Sequence, residues 1–132
     1  MNEVNYNCCN EIAIECADEQ VMQNILTNMQ HTITVEIHNG EGTLESTEPI
    51  DFSFEGLLPL GEDSVWEDRM GAWGCPTDRK LIRLNCDGLT IFVYCLTEFY
   101  APIHVCRHLR KYYDCEIDWF FRCDEHKQAG WL

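Results

Sequence analysis

Apolar and polar positions alternate strictly in "EIAIEC", residues 11–16: Ile12, Ile14 and Cys16 fall on one side, Glu11, Ala13 and Glu15 on the other. A period of two predicts a half-buried strand. The next segment, "ADEQVMQNILTNM" (17–29), changes period. Val21, Met22, Ile25, Leu26 and Met29 recur at three and four, which predicts an amphipathic helix, with Asp18 and Glu19 at its positive N-terminal end. "TITVEIH" (32–38) alternates again through Ile33, Val35 and Ile37, and "NGEG" (39–42) predicts a turn. "IDFSF" (50–54) is another short alternating run. Residues 55–78, rich in Gly, Pro and turn formers, predict an ordered loop with a short helix near 63–70.

Residues 79–95 carry two apolar runs around Asp87-Gly88, a strong hairpin signal because such a link needs positive φ. The expected register sets Cys86 opposite Leu89, Leu84 opposite Ile91 and Ile82 opposite Val93. Residues 89–95 are apolar on both faces. This predicts a central strand packed on each side, with Phe92 and Tyr94 under an insertion. "APIHVCRHLRKYY" (101–113) predicts a helix opened by Pro102. Ile103, Cys106, Leu109 and Tyr113 form its apolar stripe, and His104, Arg107, His108 and Lys111 lie opposite. "CEIDWFFRC" (115–123) returns to period two.

The order is β-α-(insertion)-β-β-α-β. We read an α+β class, ferredoxin-like in arrangement: an antiparallel sheet with two helices on one face and the first and third strands central. One domain is expected over 1–132, with an insertion at about 31–78. Hydrophobic residues make up 45% of the chain, enough for a core.

Charge changes this picture. The net charge is −14, and residues 1–68 hold fifteen Asp and Glu and no Lys or Arg, whereas 69–132 are near neutral. Such a field repels phosphates and anionic membranes and attracts basic protein surfaces. The expected partner-binding residues are Glu11 and Glu15 of the first strand, Glu36 of the insertion strand, and Glu41, Glu45, Glu48, Glu62 and Asp63 of the loops. The N-terminal residues show neither a basic n-region nor an apolar h-region, so a cytoplasmic location is expected. Nine cysteines are then read as reduced. Cys16, Cys86, Cys95, Cys106, Cys115 and Cys123 stand at apolar-phase positions, as small hydrophobes.

Five segments, in order, resemble the YubB-like, ferredoxin-like proteins of phages and plasmids. They are "NCCNEIAIEC" (7–16), "FSFEGLLPL" (52–60), "WGCPTD" (73–78), "LTEFYAPI" (96–103) and "QAGWL" (128–132). Cys75, Pro76 and Thr77 stand where that family has Thr, Lys and Trp, and Phe99 where a Trp is usual. The resemblance implies a ferredoxin-like sheet with an insertion and a mobile-element origin. It supplies no catalytic residues.

Candidate chemistry is sparse. Cys75 lies among Glu62, Asp63, Glu67, Asp68 and Asp78, and anions raise a thiol pKa rather than activate it. We read "WGCPTD" as structural. His104 and His108 have an i, i+4 spacing, but Arg107 and Lys111 crowd that face and no Cys-x-x-Cys exists. No catalytic residue, metal or cofactor is expected. The basic clusters Arg79-Lys80-Arg83 and Arg107-Arg110-Lys111 are small against −14, which opposes direct nucleic-acid binding. The function expected is a non-enzymatic acidic protein that inhibits or modulates a basic host nucleic-acid-handling or anti-phage defence protein, nucleic-acid mimicry included. The alternative is a small nucleotide- or RNA-binding module that uses the sheet through Phe92 and Tyr94.

Overall fold

The structure, a computed structural model, describes residues 6–39 and 42–132, with backbone pairing alone for 31–39 and 43–50. Strand β1 (Cys8–Cys16) is followed by helix α1 (Glu19–Asn28), whose N-cap Asp18 accepts a 2.9 Å bond from the Val21 amide. Strands β2 (His31–Asn39) and β3 (Gly42–Ile50) pair only with each other, as a separate two-stranded sheet. Two short helices follow, α2 (Phe54–Leu57) and α3 (Trp66–Trp73). The chain continues through β4 (Lys80–Asp87), β5 (Thr90–Thr97), α4 (Ile103–Tyr112), β6 (Cys115–Cys123) and β7 (Gln128–Trp131).

The fold is α+β with a five-stranded antiparallel sheet in the order β4-β5-β1-β6-β7 and four helices. Two features set it apart from a simple ferredoxin fold: the edge strand β7 and the separate β2–β3 sheet. Alternation in β1 decides which face is covered. Cys8, Asn10, Ile12, Ile14 and Cys16 are buried, while Cys9, Glu11, Ala13 and Glu15 are not. The apolar residues of the covered face cluster with Met22 and Ile25 of α1, Phe54 and Leu57 of α2, Trp73 of α3, and Val105, Cys106 and Leu109 of α4. All four helices therefore contribute to the same face.

Several expectations are corrected. Residues 50–54 do not form a strand of their own. Ile50 ends β3, and the chain then turns into α2 with Phe52 at φ 54°. The helix expected near 63–70 begins three residues later, at Trp66. The β4–β5 hairpin is shifted. Asp87 pairs with Thr90, Cys86 with Ile91 and Leu84 with Val93, so the loop is Gly88-Leu89. Gly88, at φ 59°, takes the first loop position, which a two-residue II′ link reserves for glycine. The shift is by two places, so residues 83–87 keep their expected faces. Beyond them a bulge at Ile82 leaves that residue exposed and sets Leu81 opposite Cys95 in its place.

β5 is interior as expected, between β4 and β1, but only one of its faces is covered. Residues 52–78 pack among the helices through Phe52, Phe54, Leu57, Trp73 and Cys75. Phe92 and Tyr94 lie on the opposite face, and Phe92 is 41% exposed. The reading of all cysteines as reduced also fails: Cys8 and Cys123, register partners on β1 and β6, form a disulfide. Cys86 is exposed despite its apolar phase, because it ends an edge strand beyond the reach of the helices.

Candidate functional site

The segment "WGCPTD" is built as scaffold. Trp73 donates its indole N–H to the Leu58 carbonyl at 3.0 Å. Gly74 ends α3 in the left-handed conformation, and Cys75 Sγ donates to the Thr77 carbonyl at 3.3 Å. Burial pushes the Cys75 thiol well up, and Asp78 adds to the effect; burial does the same to Cys95. Neither is an activated nucleophile. Asp78 is the anchor. Its carboxylate accepts from the Phe54 and Glu55 amides at 3.0 and 3.2 Å and from Ser53 Oγ at 2.9 Å. That binds the start of α2, whose Gly56 packs so tightly that an added Cβ would sit 2.6 Å from the Asn28 carbonyl oxygen.

Other motif residues are equally committed. Buried Asn10 donates to Thr97 Oγ1 at 3.1 Å and accepts from the Trp119 indole at 2.9 Å. Asn7 accepts from the Phe99 amide at 2.8 Å. Thr97 Oγ1 donates to the Tyr100 carbonyl at 2.8 Å, just before Pro102 caps α4. Among the described residues, no buried side-chain polar atom lacks a partner.

Each of the two basic clusters loses one member to the backbone. Arg79 is buried and donates to the carbonyls of Phe52, at 3.0 Å, and Asp51. Arg110 donates to the carbonyls of Ile117 and Leu132 at 2.9 and 2.7 Å. His108 packs against Tyr112, with ring centroids 4.8 Å apart, and burial lowers its pKa. Among the described residues no three His, Cys, Asp or Glu side chains gather as a metal site would require, and no helix is long and apolar enough to cross a membrane.

The uncommitted residues lie on the open face of the five-stranded sheet. Strand registers arrange them in rows. One row holds Lys80, Leu96, Cys9, Arg122 and Ala129. The next holds Arg83, Tyr94, Glu11, Phe120 and Trp131 across all five strands. Then come Asn85, Phe92, Ala13 and Asp118, and finally Asp87, Thr90, Glu15 and Glu116. Phe120 meets Trp131 edge-on at 5.3 Å, and Trp131 is 70% exposed. Arg83, Asn85, Phe92, Tyr94 and Glu11 line a depression of about 410 Å³. The face is polarised: its three cations, Lys80, Arg83 and Arg122, lie in the first two rows, and Asp118, Asp87, Glu15 and Glu116 in the last two. The alternation of β5 names Phe92 and Tyr94 as sharing a face, and strand register adds Phe120 to it. Trp131 was missed because β7 is four residues long and contains Gly130.

Seven of the eight expected partner-binding acids lie in the described residues, distributed over three places. Glu11 and Glu15 are exposed on the open face. Glu36 and Glu45 are register partners in the β2–β3 sheet, and Glu48 of β3 stands opposite Ile33. Glu62 and Asp63 are exposed in the loop between α2 and α3, and Glu41 lies outside the described residues. The structure sets Glu36 opposite Glu45, whereas Glu11 and Glu15 share a face but stand two rows apart. In comparisons with protein-family models, curated proteins and solved structures, no match to this chain is found.

Proposed function

We propose that this chain is a non-enzymatic acidic interaction protein that docks on a basic surface of a host nucleic-acid-handling or defence protein, as its resemblance to mobile-element proteins suggests. The observation that carries this reading is the β2–β3 ribbon. Among the described residues it pairs with no other strand, it holds Glu36 opposite Glu45, and it belongs to a half-chain without Lys or Arg. A lone two-stranded ribbon is marginal in water, and like charges directly opposite weaken it further. A cationic partner removes both penalties. Burial raises the Cys75 and Cys95 thiols, which weighs against a thiol nucleophile at "WGCPTD". The order β4-β5-β1-β6, with the strands on either side of α1 and α4, supports reading the frame as ferredoxin-like, extended by β7.

The test is capture from a bacterial lysate followed by titration with the recovered protein. Reversing Glu45, Glu48, Glu62 and Asp63 to Lys should abolish binding with the fold intact. For the unreversed chain, association should slow as the Debye length falls from ~10 Å at 0.1 M salt to ~3 Å at 1 M. Unchanged binding after the reversals would assign the acidity to solubility alone. A second reading, a nucleotide- or RNA-binding module, is favoured by one observation: Phe92 and Tyr94 share the open face with Lys80, Arg83 and Arg122. The diversion of Arg79 and Arg110 to backbone carbonyls weighs against it. Copurifying nucleic acid, or anisotropy with labelled single-stranded RNA, decides.

A further inference from the structure

The open sheet face is an antisymmetric pattern of charge about an aromatic middle, and we infer that it docks on the same face of a second copy of this chain. The inference is independent of the acidic-ribbon reading and uses different residues.

The argument begins with what the face exposes. Phe92, Tyr94, Phe120 and Trp131 are carried on β5, β6 and β7, with Glu11 between Tyr94 and Phe120. An antiparallel sheet tolerates one solvated face when that face is polar; this one is polar at its two ends and aromatic across its centre. The four long strands β4, β5, β1 and β6, ~4.8 Å apart and about eight residues long at ~3.4 Å each, give a face of roughly 520 Å². Two such faces in contact bury about 1,000 Å², the size that a specific interface has to reach.

Charge then selects the partner and its orientation. Two identical sheets stacked face to face are related by a two-fold axis lying between them. If the axis runs along the strands, each row meets its own copy reversed across the sheet, so the cationic end stacks on the cationic end and Glu11 and Glu15 of β1 face their own copies. If it runs across the strands, midway between the Glu11 and Ala13 rows, the first row meets the fourth and the second meets the third. Lys80 then lies over Asp87 of the second copy, Arg122 over Glu116, and Tyr94 over Phe92. The first two pairs join opposite charges and the third joins two aromatic rings. Sheet twist turns the two strand sets by about 30° and leaves this end-to-end complementarity in place. Glu11, at the centre, has Arg83 beside it along one depression and Arg122 along the next. Arg122 already lies 3.0 Å from Asp124, through Nε, with both side chains well exposed, so the rest of its guanidinium is available.

Analytical ultracentrifugation of the full chain, with light scattering, tests this. The expected result is a concentration-dependent dimer. Arg122→Glu and Glu116→Arg should each weaken it tenfold or more, and the double variant, which restores the pair across the axis, should recover most of the loss. Tyr94→Ser should weaken it without changing the urea midpoint of the monomer. A chain that stays monomeric overturns the inference, as does a dimer indifferent to all four variants or a failure of the double variant to recover. A monomer that binds single-stranded RNA through Phe92 and Tyr94 also overturns it.

Discussion

The two faces of the five-stranded sheet come from the same strands and the same period of two, yet they have opposite fates. On the covered face every polar group is spent: Asn10 on Thr97 and Trp119, and Thr97 on Tyr100. On the open face Arg83, Tyr94, Phe120 and Trp131 line up in register and Phe92 stands clear of cover. The lesson concerns where function can reside. Residues that make a motif look distinctive, such as Trp73, Cys75 and Asp78, hold the scaffold, and the surface left for recognition is one that no motif marks.

The strongest way to break this comparison is to cut equally into both faces. Trp119→Ala should cost about 3–5 kcal/mol, because it opens a cavity and leaves buried Asn10 without its donor. Urea denaturation measures it, and a loss under ~1 kcal/mol would mean the covered face is not the core. Replacing Cys8 and Cys123 together by Ser should cost about 2–5 kcal/mol, and reducing agent should have the same effect on the parent chain and none on the double variant. Asp78→Ala removes the acceptor shared by Ser53, Phe54 and Glu55, and should cost about 1–3 kcal/mol.

How much of this was legible follows from how strongly each segment depends on its own pattern. β6 alternates in nine residues and was read to the residue; α1, α4 and β5 were read within one or two. β3 was missed because "GTLESTEPI" is polar on both sides, so no apolar face reveals its phase. The hairpin register differs because Gly88 takes the first loop position rather than the second, a choice that the Asp-Gly signal leaves open, and the bulge at Ile82 then moves that residue off the covered face. The disulfide was hidden because Cys8 and Cys123 meet only through the register of β1 with β6, 115 residues apart. The open face could be assembled only in part: strand order, which aligns five segments into rows, is a tertiary fact.

Alkaline pH sharpens the contrast more gently. Burial, with nearby thiols and Asp18 adding to it, pushes the Cys16 thiol up to about 11, and burial raises Cys75 and Cys95 as well. Unfolded thiols lose their protons at lower pH than these folded ones, so the folded state holds the extra protons. Stability from this source is complete below the ordinary thiol range and falls as pH rises from about 9 toward 11. Cys16→Ala should flatten the fall, as pH-dependent denaturation midpoints will show. The smallest effect belongs to the open face: measured at a dilution where the chain is monomeric, Phe92→Ser should shift stability by no more than ~0.5 kcal/mol. A larger loss in the monomer would mean that face is not open.

The bond between Cys8 and Cys123 also decides how the molecule carries mechanical load. A pull applied at Met1 and Leu132 enters the sheet through short tails and passes from β1 to β6 through sulfur. The segments between the two cysteines, four helices and six of the seven strands at least in part, sit inside a covalent loop and bear little tension. In a force–extension experiment the oxidised chain should lengthen only by its tails. After reduction the same pull should release the loop, adding roughly 400 Å of contour at ~3.6 Å per residue. Redox state then sets how far the chain can extend under load.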